Sequence, residues 1–226
     1  MLILSIFVLL YGISFYFSEK LSETVGIPHI ITVFATTLFL SFFLFFLARK
    51  KKLKKYGVSF PIDLKKAPVS IAALLIIPII NVCFYDGDIA EHQILISAFM
   101  IFTTAFSEEL LFRGILPSKI AESFGISKKT GTVLSNAVFA ALHICSLPSA
   151  DWLIIRLFAV FAVGLCLSSL RDRTHSIFPG FIIHFLINIS YSDRAFESFA
   201  YRSIWIILVI LYLTYDIWYL TKEEIK

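Results

Sequence analysis

Apolar runs long enough to cross a lipid bilayer recur along this chain from one end to the other, and few architectures tolerate that. A hydrocarbon core of about 30 Å takes about 20 residues of helix, with about 17 as a working minimum. Eight stretches meet that measure, at residues 1–17, 30–48, 68–85, 92–116, 130–147, 152–170, 175–191 and 203–220. They lack the strict apolar–polar alternation of an outer-membrane barrel. The helix is then the structure that satisfies every backbone hydrogen bond in lipid. The sequence therefore predicts an all-α fold, a polytopic transmembrane helical bundle of about eight spanning helices. Composition agrees, with 58% hydrophobic and 16% charged residues and a mean hydropathy of +0.86. Soluble domains have about a quarter charged residues. Only short polar connections separate the runs, which predicts a single integral membrane domain over 1–226. The first run lacks the basic flank and small-residue cleavage site of a secretion signal, and reads as a spanning helix that stays.

Lysine and arginine give the orientation. The stretch from Arg49 to Lys66 carries eight basic residues and is expected on the cytoplasmic side. Alternation from there places both termini in the cytoplasm and 16 of the 20 basic residues on that side. Arg156 is expected to reach toward the outer interface along its aliphatic stem. The net charge of +4 is then a topology signal, and implies no nucleic-acid partner. Cys83, Cys145 and Cys166 form no C-x-x-C pair and read as apolar packing residues.

Against this background, ionisable groups deep in apolar runs stand out, because each costs a few kcal/mol to insert. In the fourth run Glu108 and Glu109 are adjacent, and Arg113 follows Glu109 by four residues. Four residues share a helix face, so Glu109 and Arg113 are expected to pair. Glu108, about 100° around the helix, is left to face something else. The fifth run carries Asn136, Phe139 and His143. The seventh carries His184 and Asn188 on one face, with Gly180 allowing a close approach. At a helical rise of 1.5 Å per residue, Glu108, His143 and His184 lie roughly 15, 20 and 14 Å from the same side, so one cavity can collect all three.

Hydrolysis of an amide by water needs a base, a stabiliser for the oxyanion and a proton for the leaving amine. A carboxylate in an apolar cavity is a competent base, which suits Glu108, with His143 sharing or shuttling the proton. His184 and Asn188 offer two donors to the oxyanion. Ser107 beside the glutamates reads as structural, so water is the expected nucleophile. No metal is required by this reading. A competing account makes Glu108, His143 and His184 a zinc-binding set with an open position, although no H-E-x-x-H motif is present.

The ordered motifs EExxxR (Glu108, Glu109, Arg113), FxxxH (Phe139, His143) and HxxxN (His184, Asn188) resemble those of the CAAX proteases and bacteriocin-processing enzymes. This family, also called CPBP or Abi, includes the type II CAAX prenyl endopeptidases. The resemblance covers a core of about 94–191. It implies an intramembrane endopeptidase in which Glu108 activates water with His143, and His184 and Asn188 hold the oxyanion. Glu109 and Arg113 would brace the site, with Phe139 packed near it. A peptide or membrane-protein substrate and the lipid bilayer, of a bacterial plasma membrane, are the expected partners. The family also includes bacteriocin-immunity roles, so a non-proteolytic immunity or peptide-binding membrane protein stands as the alternative. A proton-coupled transporter is a further one, disfavoured by the lack of an inverted repeat with paired broken helices.

Overall fold

The computed structural model describes residues 53–60, 62–84, 91–146, 153–191, 195 and 198–222. Every regular element among them is helical. The expected spans at 1–17 and 30–48 lie outside the described residues. After two 3₁₀ turns at Leu53–Tyr56 and Leu64–Lys66 comes α1 (Pro68–Cys83), which continues through Pro78. The helix α2 (Glu91–Glu108) runs without a break into a π-helical segment, Glu109–Ile115, and then into α3 (Leu116–Phe124). Next come α4 (Lys128–Leu142), a 3₁₀ turn at His143–Ser146, α5 (Leu153–Thr174), α6 (Phe178–Ser190) and α7 (Phe199–Lys222).

By length and apolarity two of these helices are able to cross a membrane, Leu153–Thr174 and Phe199–Trp218, while Pro68–Cys83 and Phe178–Ser190 are apolar but shorter. The fourth expected run does not end near residue 116. Its helix carries on to Phe124 through Pro117, whose missing N–H removes a bond to the preceding turn, where the Phe112 carbonyl accepts from Ser135 Oγ instead.

The packing is inside out relative to a soluble protein. Along α7, Tyr201, Trp205, Leu208, Val209, Tyr212 and Asp216 are buried at helical spacing, while Ile206, Ile207, Ile210, Leu211 and Ile217 are exposed. Polar groups point inward and pair. Tyr201 donates to Asn81 Oδ1 at 2.7 Å, and Asn81 donates to Ser190 Oγ at 3.2 Å. Ser70 and Tyr215 share a hydrogen bond, and Tyr212 donates to the Ala73 carbonyl. These contacts tie α1, α6 and α7 together, and α5 packs against α1, α4, α6 and α7. Arg156 is 6% exposed and folded into the interior rather than extended toward an outer interface. It lies on α5, which has helices on several sides, so its stem is enclosed.

Close backbone approach fixes the remaining helices. Gly125, at φ 63°, ends α3, and Ser127 caps α4 by accepting from the Thr130 N–H. At the resulting hairpin a Cβ on Gly131 would meet the Pro117 carbonyl oxygen at 2.4 Å, so only glycine lets α3 and α4 meet there. The segment around Tyr56 closes the same end of the bundle: Ile177 N–H donates to Gly57 O and Ser59 Oγ to His175 O.

Candidate active site

The π-helical segment decides what the two glutamates can reach. Its seven residues are all buried, and its wider turn leaves the α-helical hydrogen-bond ladder. Ser135 of α4 donates to the Phe112 carbonyl at 2.7 Å, supplying a partner from outside the ladder. The expected Glu109–Arg113 pair is present, with Arg113 Nη1 3.1 Å from Glu109 Oε1 and both side chains fully enclosed. Glu108, expected to turn away from Glu109, instead joins it on one imidazole. His184 Nδ1 is 2.9 Å from Glu109 Oε1, and His184 Nε2 is 3.4 Å from Glu108 Oε2. The helix widens where the two residues meet, so adjacent side chains address a single group on α6.

This geometry limits the proton states. With one ring proton, Nδ1–H donates to Glu109 and Nε2 accepts, so a proton on Glu108 completes the contact. With two, the imidazolium bridges two carboxylates. Arg113 sets a guanidinium against the buried Glu109 carboxylate, and that guanidinium lies 4.2 Å from the Phe139 ring centroid. Phe139 also meets both histidines edge to face, at 4.5 Å from His143 and 6.0 Å from His184. His143, half-buried at the end of α4, directs Nδ1 to the Phe139 carbonyl at 2.9 Å. That carbonyl only accepts, so Nδ1 carries the hydrogen and Nε2 is the basic nitrogen. Asn188 lies one turn beyond His184 on α6, half-buried.

The structure therefore gathers Glu108, Glu109, Arg113, Phe139 and His184 in direct contact. His143 is bound to that set through Phe139, and Asn188 stands beside it on the helix. Three further residues shape the cluster. A Cβ on Gly180 would stand 3.0 Å from Glu109 Oε2, and one on Gly164 would stand 2.5 Å from Asn136 Oδ1 and 3.0 Å from Arg113 Nη2. Asn136 is held by donation to Thr132 O and to Ser168 Oγ. The spacing of Gly164 and Ser168, two small residues four apart on an apolar helix, is the sequence signal that marks this crossing.

The zinc account can be set against the same geometry. Among the described residues no three His, Cys, Asp or Glu side chains are grouped to hold a metal ion. One nitrogen of His184 is taken by Glu109 and the other faces Glu108. When the ring carries one proton, that proton is on Nδ1 and the lone pair of Nε2 points at the Glu108 carboxylate.

Residues 90–190 match the family model described as Type II CAAX prenyl endopeptidase Rce1-like. Comparison with curated proteins and with solved structures gave no match. The family and the apolar helices together mark an integral membrane protein. Residues 90–190, which hold every residue of the cluster, are similar to the Rce1-like type II CAAX prenyl endopeptidases.

Proposed function

We propose that this chain is an intramembrane endopeptidase that hydrolyses a peptide bond with water activated by Glu108. The observation that carries the reading is the meeting of Glu108 and Glu109 on one imidazole, with Arg113 paired to Glu109. Glu109 is thereby tied to Arg113 and His184, and Glu108 faces His184 Nε2 as the base of the reaction. Glu108 takes the proton of the attacking water as the C–O bond forms. His184, doubly protonated and oriented by Glu109 at Nδ1–H, turns Nε2–H to the oxyanion, and the amide of Asn188 donates to it as well. As the C–N bond breaks, the proton passes from Glu108, directly or through His143, to the leaving amine. Glu109 and Arg113 act as positioning residues. No metal takes part, so chelators are expected to leave turnover unchanged.

In the same reading eight helices of a single domain span a bacterial plasma membrane with both termini in the cytoplasm. The cavity opens on that side to a peptide or membrane-associated protein substrate. The test compares wild type with Glu108→Ala at matched expression, by mass spectrometry of membrane-associated and secreted peptides. A peptide cut in wild type should persist uncut in Glu108→Ala and in His143→Ala. Identical profiles in all three would sink the reading. A general base contributes about 10²–10⁴ in rate, so residual cleavage should be slight.

A further inference from the structure

Residues 53–60 lie as a strap across one end of the bundle, and two consecutive residues of it touch both elements that build the cluster. Tyr56, 2% exposed, sets its carbonyl oxygen against Gly114 of the π-helical segment, where a Cβ would stand only 2.7 Å away. Gly57 accepts at its carbonyl from the Ile177 N–H, at 2.8 Å, where the chain enters α6. Gly114 lies five residues beyond Glu109, and Ile177 lies seven residues before His184. Seven residues of helix rise about 10 Å. The two elements meet again where Glu109 Oε1 and His184 Nδ1 are 2.9 Å apart. Strap, π-helical segment and α6 therefore close a frame, and the Glu109–His184 contact is its far side.

The strap side of this frame is stiff. Gly57 holds φ at 82°, a conformation that L side chains rarely adopt. A Cβ there would crowd Arg171 Nε and Ile177 Cγ2, each at 3.2 Å. Neighbouring contacts fix the strap on both flanks of the glycine. Arg171 Nη2 donates to Lys55 O at 3.3 Å, Ser59 Oγ donates to His175 O at 2.6 Å, and the Phe60 and Phe178 ring centroids are 4.6 Å apart. Apolar packing carries the same link inward. Tyr56 and Ile177 share one core cluster with Leu110, Phe112 and Phe139. Phe139 is the ring that meets Arg113 and both histidines. A shift of the strap thus reaches the site, because close-packed interiors transmit strain.

We infer that the strap is a positioning element of the site: its contacts to Gly114 and Ile177 set the distance and angle at which Glu109 holds His184. Through that ring they set how Nε2 faces Glu108. Tyr56 and Gly57 act through the elements they hold. The kinetic consequence rests on the peptidase reading above, whereas the geometric one does not.

The test compares the full chain, purified in maltoside detergent, as wild type, Gly114→Ala and Gly57→Ala, with Tyr212→Phe as the control. Gly114→Ala forces a methyl group against the Tyr56 carbonyl, and Gly57→Ala presses on Ile177 at the other corner of the frame. Tyr212→Phe removes the hydrogen bond to Ala73 O, which ties α7 to α1. The first readout is the ¹⁵N shifts of the His184 imidazole in histidine-labelled protein, assigned by their loss in His184→Gln. They should move in both glycine variants and stay in place in Tyr212→Phe. The second readout is cleavage of the peptide found by mass spectrometry. There kcat should fall about tenfold to a hundredfold with KM nearly unchanged, as for a misplaced reacting group. If one glycine variant does not fold, the other carries the test, and Ser59→Ala, which deletes only the bond to His175 O, is a milder third. The inference is overturned if every folded strap variant keeps the wild-type shifts, if Tyr212→Phe moves them equally, or if they move while kcat does not. Moved shifts with no cleavage by any of the proteins, wild type included, would instead sink the peptidase reading and leave the frame standing.

Discussion

Glu109 Oε1 receives Arg113 and His184 together, so substitutions there separate folding from chemistry. Arg113→Met strips the cation from a fully buried carboxylate and should cost about 3–5 kcal/mol. Adding Glu109→Gln removes the stranded charge, and the double variant should regain much of that loss. It should not regain turnover, because the carboxylate that orients His184 is gone. Unfolding midpoints and peptide cleavage on the four proteins of this cycle check both halves. A double variant as unstable as Arg113→Met would contradict the pairing. The Glu109–Arg113 pair is legible in the sequence, because helical spacing alone brings those residues together. The meeting of Glu108 with His184 is not, since it depends on how α2 and α6 cross. Gly180 reads as a point of close approach, and its neighbour there is the Glu109 carboxylate. Gly164 carries only the weak signal of small-residue spacing, which does not say what the glycine faces. Gly164→Ala forces a methyl group against Asn136 Oδ1 and Arg113 Nη2 and should cost about 1–3 kcal/mol, measured as a lowered unfolding midpoint.

At the scale of elements, the expected runs from the third onward correspond to helices whose limits differ by a few residues, except that the fourth continues eight residues further to Phe124, while the widened turn between α2 and α3 has no counterpart in the pattern. Apolar content is the same in an α and a π turn, so periodicity cannot separate them. Within the turn, the Phe112 carbonyl takes its hydrogen bond from another helix, at Ser135. A second device pins α3 to the segment before α1. Glu122 takes hydrogen bonds from Lys119 and from Lys55, which hold its pKa at about 2, below the usual 4.5. Because the folded value is depressed, the tether stabilises the protein fully above the unfolded pKa and loses that contribution as pH falls through about 2. Glu122→Gln should therefore unfold slightly earlier than wild type at neutral pH, with the gap narrowing from about pH 4.5 downward. A gap independent of pH in thermal unfolding would show that the carboxylate charge is not what binds α3 to Lys55.

For the whole molecule, the apolar runs are informative about burial in an unusual direction. In α7 the residues that pack inward include tyrosines and an aspartate, while Ile207, Ile210 and Leu211 form an exposed ridge at one-turn spacing. Water disfavours such a ridge, and lipid accepts it. Ile210 is 59% exposed and lies midway along the helix, so an arginine there has no helix end near enough to reach. In a soluble protein an exposed Ile→Arg change makes little difference, typically within about 0.5 kcal/mol. In a membrane span the same change should cost about 2.5–3.5 kcal/mol of insertion. Ile210→Arg should accordingly lower the fraction of chain that resists alkaline extraction from membranes, while Ile210→Leu should not. Equal retention of both variants would mean that this face of α7 meets protein or water instead of lipid. The outward ridge would then be a docking surface, and α7 would no longer count among the helices that embed the glutamate cluster in the bilayer.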